Sequence, residues 1–266
     1  MDQEDIFQTA HALADAARAA IMPHFRSTSL TAEAKLGVSA EAGFDPVTVA
    51  DRAAEAAMRD ILKARRPEDA ILGEEYGTSE GTSGLTWVLD PIDGTRGFLA
   101  GAPTWGVLIA LSDESGPIYG LIDQPYIGER FEGGFGRARM TGPQGARHLK
   151  ARGNRPLSEA ILMTTFPALG TRDEGAAFRT VAEQVQLTRY GCDCYAYALL
   201  AAGHIDLVIE AGLSAYDIAA PIAVIEAAGG IVTDWQGGAA HAGGRVIAAA
   251  GAQQHAAALE ILSRTG

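Results

Sequence analysis

Cysteine, positive charge and long apolar runs are all scarce in this chain. Cys192 and Cys194 are the only cysteines among 266 residues. Two positions apart on an expected strand-to-helix turn, they point in different directions and do not bridge. No second Cys or His pair complements them as zinc ligands, so they read as free thiols. Lys and Arg number 21 against 33 Asp and Glu, a net charge of −12. That balance argues against a nucleic-acid backbone as main ligand and hints at cations, although a solvated acidic surface gives the same number. The longest apolar runs are too short to cross a bilayer, and the N-terminus, Met1-Asp2-Gln3-Glu4-Asp5, is acidic where a signal peptide is basic. Neither a membrane anchor nor an export signal is expected, and the expected compartment is the cytoplasm.

What is present is a composition 47% hydrophobic and 20% charged, enough for one large compact unit or two closely packed halves. Ile6, Phe7, Ala10, Leu13, Ala14, Ala17 and Ile21 recur at helical spacing and predict an amphipathic helix over 4–25, with His11 and His24 as surface or cap residues. Residues 26–43 lack periodicity and read as a loop or short hairpin; Lys35 within it is a solvated lysine or a phosphate contact. A second helix is expected over 48–64, then strands at 70–72, 86–89, 104–111 and 117–123, and an edge hairpin around 130–135. The Gly, Pro and Arg-rich stretch 137–155 reads as a connector between an N-terminal half, 1–150, and a C-terminal half, 151–266. Beyond it the pattern predicts strand 159–164, helix 174–185, strand 186–190, helix 195–203, strand 205–210, helix 215–228, strands 230–233 and 246–249, and helix 252–263. Such alternation implies a layered α/β architecture.

Asp90-Pro91-Ile92-Asp93-Gly94-Thr95 is the most informative stretch. Two carboxylates converge on one turn after the apolar Thr86-Trp87-Val88-Leu89, where Pro91 is expected to end the strand. Gly94 lets the backbone approach a ligand. If Gly94 and Thr95 open a short helix through Arg96, Gly97, Phe98 and Leu99, their N–H groups favour an anion such as phosphate. A divalent metal beside a phosphate is the chemistry this pattern suits, whereas a calcium loop fits poorly with acids three apart around a proline. Other acids also sit at element borders: Asp45 and Asp51 flank the start of the second helix, Glu74 emerges at a strand end in Gly73-Glu74-Glu75, and Asp217 follows Tyr216 in the first turn of a late helix. Asp45, Asp51 and Asp217 read equally well as helix caps or as ligands.

Taken in order, Asp45-Pro46-Val47-Thr48-Val49-Ala50-Asp51, Gly73-Glu74-Glu75, Asp90-Pro91-Ile92-Asp93-Gly94-Thr95 and Tyr216-Asp217 resemble the inositol monophosphatase-like family of magnesium-dependent, typically lithium-sensitive phosphatases, over nearly the whole length. The resemblance implies the layered αβαβα sandwich of the inositol monophosphatase and fructose bisphosphatase type. It implies metal ligands at Glu74, Asp90, the Ile92 carbonyl, Asp93 and Asp217 for two or three magnesium ions, and hard oxygen donors suit that ion. Glu74 and Thr95 would orient the attacking water with Asp51 behind Thr95, and Gly94 and Thr95 would meet the phosphate. Two metals roughly 3.5 to 4 Å apart would clamp attacking and leaving oxygens, with no phosphoenzyme. A homodimer is implied by the same resemblance.

Within the family, Arg96-Gly97-Phe98, Gly101-Ala102-Pro103-Thr104-Trp105-Gly106, Asp123-Gln124-Pro125-Tyr126 with Glu129-Arg130-Phe131, and Gly191-Cys192-Asp193-Cys194-Tyr195-Ala196-Tyr197 look more like the histidinol-phosphate phosphatase branch, an activity of histidine biosynthesis. Asp193 and Glu210, with Arg96, are the expected substrate-reading residues; two acids around a pocket suit a cationic amino alcohol. The alternatives are that Asp193 caps a helix and Glu210 is a solvated strand end, that the substrate is inositol 1-phosphate or a range of sugar phosphates, and that the chain is a non-catalytic metal-binding protein. Two features depart from the pattern: Tyr216 stands where many relatives have Trp, and the 26–43 loop is long.

Overall fold

The computed structural model describes residues 2–28, 32–34 and 46–264; Lys35 and Asp45 lie outside them. The described chain runs α1 (Gln3–Ile21), β1 (Ala32–Ala34), β2 (Pro46–Thr48), α2 (Val49–Arg65), β3 (Ala70–Gly73), β4 (Gly77–Ser79), β5 (Thr86–Asp93), α3 (Thr95–Leu99), β6 (Gly106–Asp113), β7 (Gly116–Gln124), β8 (Glu129–Gly134), β9 (Arg137–Gly142) and β10 (Gly145–His148). It continues with β11 (Ile161–Thr164), α4 (Arg172–Ala182), β12 (Leu187–Tyr190), α5 (Asp193–Ala201), β13 (Leu207–Leu213), α6 (Ala215–Ala227), β14 (Ile231–Asp234), β15 (Gly244–Ala249) and α7 (Ala252–Leu262). An eight-stranded sheet has the order β10-β9-β8-β7-β6-β5-β3-β4, and a five-stranded sheet the order β12-β11-β13-β15-β14. The pair β1–β2 is antiparallel.

Three apolar layers hold these elements in an αβαβα sandwich. Alternate residues of one strand go to different layers, as the two-residue period of a strand requires. Trp87, Leu89, Val107, Ile109, Leu111, Tyr119 and Leu121 pack under α1 and α2. Val88, Leu108, Ala110 and Ile122 point to the middle layer, where they meet α5, α6 and the inner face of the second sheet through Val208, Val246 and Ala248. Leu207, Ile209, Ile247 and Ala249 face outward again, against α4 and α7. Because both faces are covered, the strands read as continuous apolar runs. The α6 helix sits close on the first sheet, since a Cβ on Gly120 would lie 2.4 Å from the Ala220 carbonyl oxygen and one on Gly133 would lie 2.5 Å from Val224 Cα.

Four sequence expectations need correction. The 137–155 stretch is not only a connector: β9 and β10 extend the first sheet, pairing antiparallel as Arg137–Gly142 and Gly145–His148. The expected edge hairpin is instead β8, Glu129–Gly134, an internal strand with neighbours on both sides. The charged residues of this stretch read as an edge, whereas Arg130 bonds the buried Asp123 and Glu132 is buried against Tyr119. His11 is more than a surface residue, because its ring lies between Arg130 at 2.9 Å and Glu132 at 3.1 Å.

Pro91 does not end its strand either. β5 continues to Asp93, with Asp90 opposite Leu108 and Asp93 opposite Gly106, so three steps on β5 span two on β6. That is a bulge, where a residue without an N–H is tolerated.

Candidate active site

The bulge decides where the two aspartates point. In a regular strand, residues three apart face opposite sides; the one extra residue restores a common side for Asp90 and Asp93. Asp90 is buried and its Oδ1 accepts the Ile92 N–H at 3.0 Å, which holds the turn. Gly94, at φ 85°, is the N-cap of the short α3, and the Thr95 hydroxyl donates to the Ile92 carbonyl at 3.1 Å. Glu74 follows β3, which runs parallel to β5, and its N–H donates to the Leu89 carbonyl at 3.2 Å. The second half supplies Asp217, the third residue of α6, whose Oδ2 accepts the Ser214 N–H at 2.6 Å as part of a capping box. Asp217 thus caps its helix and also faces the cleft. Pro221 lies four residues on, so the Asp217 carbonyl lacks its usual intrahelical donor.

Carboxylate oxygens of Asp90, Asp93 and Asp217 lie within 4.8 Å of one another. Asp93 is also tied across the molecule, accepting the Cys194 N–H at 2.5 Å at the start of α5. Burial holds the Asp90 carboxyl well above the usual range, and the charges of Glu74, Asp93 and Asp217 add to the shift. Asp93 is raised by burial first, then by Asp193 and Asp217, against the bond from Cys194. Buried acids this close cannot all ionise without a cation among them. Carboxylates and the nearby Ile92 carbonyl are hard oxygen donors of the kind magnesium takes, so the residues present fit that ion.

Asp51 is near enough to Glu74 to feel its charge but is not among the residues that line the cleft over the acids. Its Oδ2 accepts the Thr48 N–H at 2.8 Å and the Thr48 hydroxyl at 2.5 Å, closing the capping box of α2. Burial pushes its carboxyl up to about 6, with the Glu74 charge adding to the rise against the Thr48 bonds. Asp51 and Thr95 have separate hydrogen-bond partners, Thr48 and Ile92.

A cleft of about 430 Å³ opens over the acids, lined by residues of both sheets. Glu210 lies in it on β13 and is 6% exposed, not a solvated strand end. β13 bulges after it, with Glu210 opposite Val246 and Leu213 opposite Gly244. Its Oε1 accepts the Thr165 N–H at 2.6 Å and the Thr165 hydroxyl at 3.0 Å. Burial pushes it up to about 7 against those bonds. Asp193 is the first residue of α5, and the N-cap position itself falls to Cys192. Asp193 is held at φ 42°, in the left-handed region, with its carboxyl against Gly94. Burial raises it to about 6, and Arg96 draws it down. The Arg96 guanidinium lies 5.0 Å from the centre of the exposed Phe166 ring.

Thr165 and Phe166 line this cleft without having been named in the sequence, and so does the buried Tyr197, which the sequence offered only as part of a motif. A signal existed for two of them: they follow the end of β11, and ligands of α/β sheets gather beyond strand ends.

The sequence matches the inositol monophosphatase family over residues 2–265. The chain belongs to that family. It is 36% identical over 244 residues to a histidinol-phosphatase of Streptomyces coelicolor, covering 89% of each chain. It is 45% identical over 230 residues, 85% of its length, to the chloroplastic bifunctional phosphatase IMPL2 of Arabidopsis thaliana, and spans 63% of that longer protein. The structure of an inositol monophosphatase from Zymomonas mobilis superposes with a TM-score of 0.85 at 39% identity, covering 99% of both chains. The family and its structures fit a phosphomonoesterase with the αβαβα sandwich, and the family is generally magnesium-dependent. No helix among the described residues is long and apolar enough to cross a membrane.

Proposed function

We propose that this family phosphatase hydrolyses histidinol phosphate to histidinol and phosphate. The observation that carries the reading is the pair of acids, the buried Glu210 and the partly buried Asp193, in the same cleft as the Asp90–Asp93–Asp217 cluster. Acids beyond those needed for a metal serve a cationic organic group, because a hydrogen bond to an ionised partner is roughly twice as strong as a neutral one. The relative named a histidinol-phosphatase supports the same choice.

In this mechanism Glu74, Asp90, Asp93, Asp217 and the Ile92 carbonyl hold magnesium. Bound there, magnesium supplies charge for the phosphoryl oxygens and a water acidic enough to attack near neutral pH. Glu74 and Thr95 orient that water, and Asp51 supports them from the start of α2. Backbone N–H groups at Gly94 and Thr95 receive the phosphate, while Asp193, Glu210 and Arg96 read the organic part. A homodimer, lithium sensitivity and a place in histidine biosynthesis belong to the same proposal, as does a division of labour between halves 1–150 and 151–266.

Hydrolysis of inositol 1-phosphate is the second reading. Acids raised to about 6 and about 7 are partly protonated near neutrality and can donate to a polyol hydroxyl. Magnesium-dependent phosphate release from the two esters side by side decides between them. Asp193→Asn and Glu210→Gln should each cut kcat/KM for histidinol phosphate by roughly 10- to 100-fold and change inositol 1-phosphate turnover much less; equal losses on both esters would remove the cationic-pocket argument. Asp93→Asn should abolish turnover of either ester with the fold intact by circular dichroism.

A further inference from the structure

Glu55 is a fully buried carboxylate that the chemistry above leaves unused. It lies on α2, one turn beyond Asp51. Its Oε2 accepts the Glu75 N–H at 2.7 Å, and its Oε1 accepts the Tyr76 N–H at 3.2 Å and Arg59 Nε–H at 2.7 Å. Arg59 in turn donates to the Gly77 carbonyl and, at 2.9 Å, to Ser79 Oγ. The turn between β3 and β4 is therefore wrapped around one helical ion pair. A Cβ on Gly73 would lie 2.0 Å from Glu55 Oε1, so the strand end approaches this closely only as glycine. From the other side, Glu74 N–H is fixed to the Leu89 carbonyl, one residue before Asp90.

We propose that Glu55, braced by Arg59, is the positioning residue for Glu74. The segment Gly73-Glu74-Glu75-Tyr76-Gly77 begins and ends on glycine and has many conformations open to it. Two charge-assisted bonds to its backbone select one. That selection sets the Glu74 side chain beside Asp90, whose carboxyl already feels its charge. Arg59 neutralises the buried anion, so the clamp adds little to the repulsion among the site acids. The inference rests on the reading of Glu74 as a water-orienting ligand. Misplacing such a group by about 1 Å costs on the order of 100-fold in rate.

Glu55→Gln tests it, because an amide NH₂ then faces the Glu75 N–H, donor against donor. The expected result is a kcat lower by about 10- to 100-fold with KM changed by less than about 3-fold, and a magnesium affinity by calorimetry weakened by about 10-fold. A role through Glu74 also predicts non-additivity: in a Glu74→Gln background, Glu55→Gln should lower kcat by less than about 2-fold further. Full multiplicative losses, or a folded Glu55→Gln enzyme with wild-type kcat and magnesium affinity, overturn the proposal. A silent Glu74→Gln beside a costly Glu55→Gln shows instead that the reading of Glu74 is at fault, and ends this inference with it. Should Glu55→Gln not fold, Arg59→Lys, which keeps the charge and loses the fork to Gly77 and Ser79, must show the same non-additivity.

Discussion

At the scale of single residues, the site depends on carboxyl groups held where water would not leave them. Glu210 is the most informative, because its titration, raised to about 7 by burial, falls inside the working range of an enzyme. Above that pH it is an anion able to attract an ammonium group; below it the attraction fades. Both phosphate and imidazole of histidinol phosphate titrate nearby, so the useful quantity is the ratio of wild-type to Glu210→Gln kcat/KM on that one ester. The ratio should rise by about 5-fold or more between pH 6 and pH 8, in step with ionisation of a group with a pKa near 7. A flat ratio would mean that Glu210 contributes shape alone. Asp193 differs in kind: its φ of 42° is uncommon for a residue with a Cβ, a conformation that costs on the order of 1 kcal/mol and concentrates at functional sites.

At the scale of elements, both sheets use the same device. β5 bulges after Asp90 and β13 bulges after Glu210, and each bulge turns a buried acid toward the cleft. The frame behind them is pinned by charge. Asp123, fully buried near the end of β7, accepts Arg18 of α1 at 3.0 Å and Arg130 of β8 at 2.7 Å. Asp123→Ala removes the partner that both arginines share, but Arg130 keeps Asp15 and Arg18 reaches solvent, so the unfolding free energy should fall by about 1 to 3 kcal/mol. Urea denaturation measures this; a loss below about 1 kcal/mol would show that α1 docks by apolar contact alone.

At the scale of the molecule, the raised acids make stability depend on pH and on metal. Asp51 and Asp193 titrate near 6 and Glu210 near 7 in the fold, each above its ordinary value of 3.8 or 4.5, and Asp90 and Asp93 are displaced in the same direction. Between those ordinary values and the folded ones, the native protein holds more protons than the unfolded chain. The contribution of these acids to stability therefore falls as pH rises from about 4 to about 7, opposite to the trend of salt-bridged carboxylates. Magnesium replaces the protons, so its stabilising effect should grow over the same interval. The midpoint of thermal unfolding at saturating magnesium should rise by about 5 °C or more at pH 8 and by less than about 2 °C at pH 5. Equal shifts at both pH values would mean that the metal displaces no protons on binding.

The sequence alone determined the local grammar: helix and strand periods for most elements, the Asp90-to-Thr95 turn, Gly94 as a point of close backbone approach and a family resemblance spread over four ordered motifs. Those features are legible because each is encoded within a few neighbouring residues. What tertiary structure decided is everything that needs a second strand or a distant partner. A bulge exists only as a mismatch of two strands, so Pro91 read as a strand end. The internal place of β8 and the strand at β9 are identified only by their neighbours. Thr165 and Phe166 join the cleft because β11 and β13 are parallel neighbours, and Asp93 meets α5 through a bond 101 residues away in sequence. Glu55 is one acid among the small residues of a helix until the β3–β4 turn folds onto it. Chain connectivity fixes which residues are near in sequence; only packing brings together the charges whose mutual repulsion makes this cleft a place for a cation.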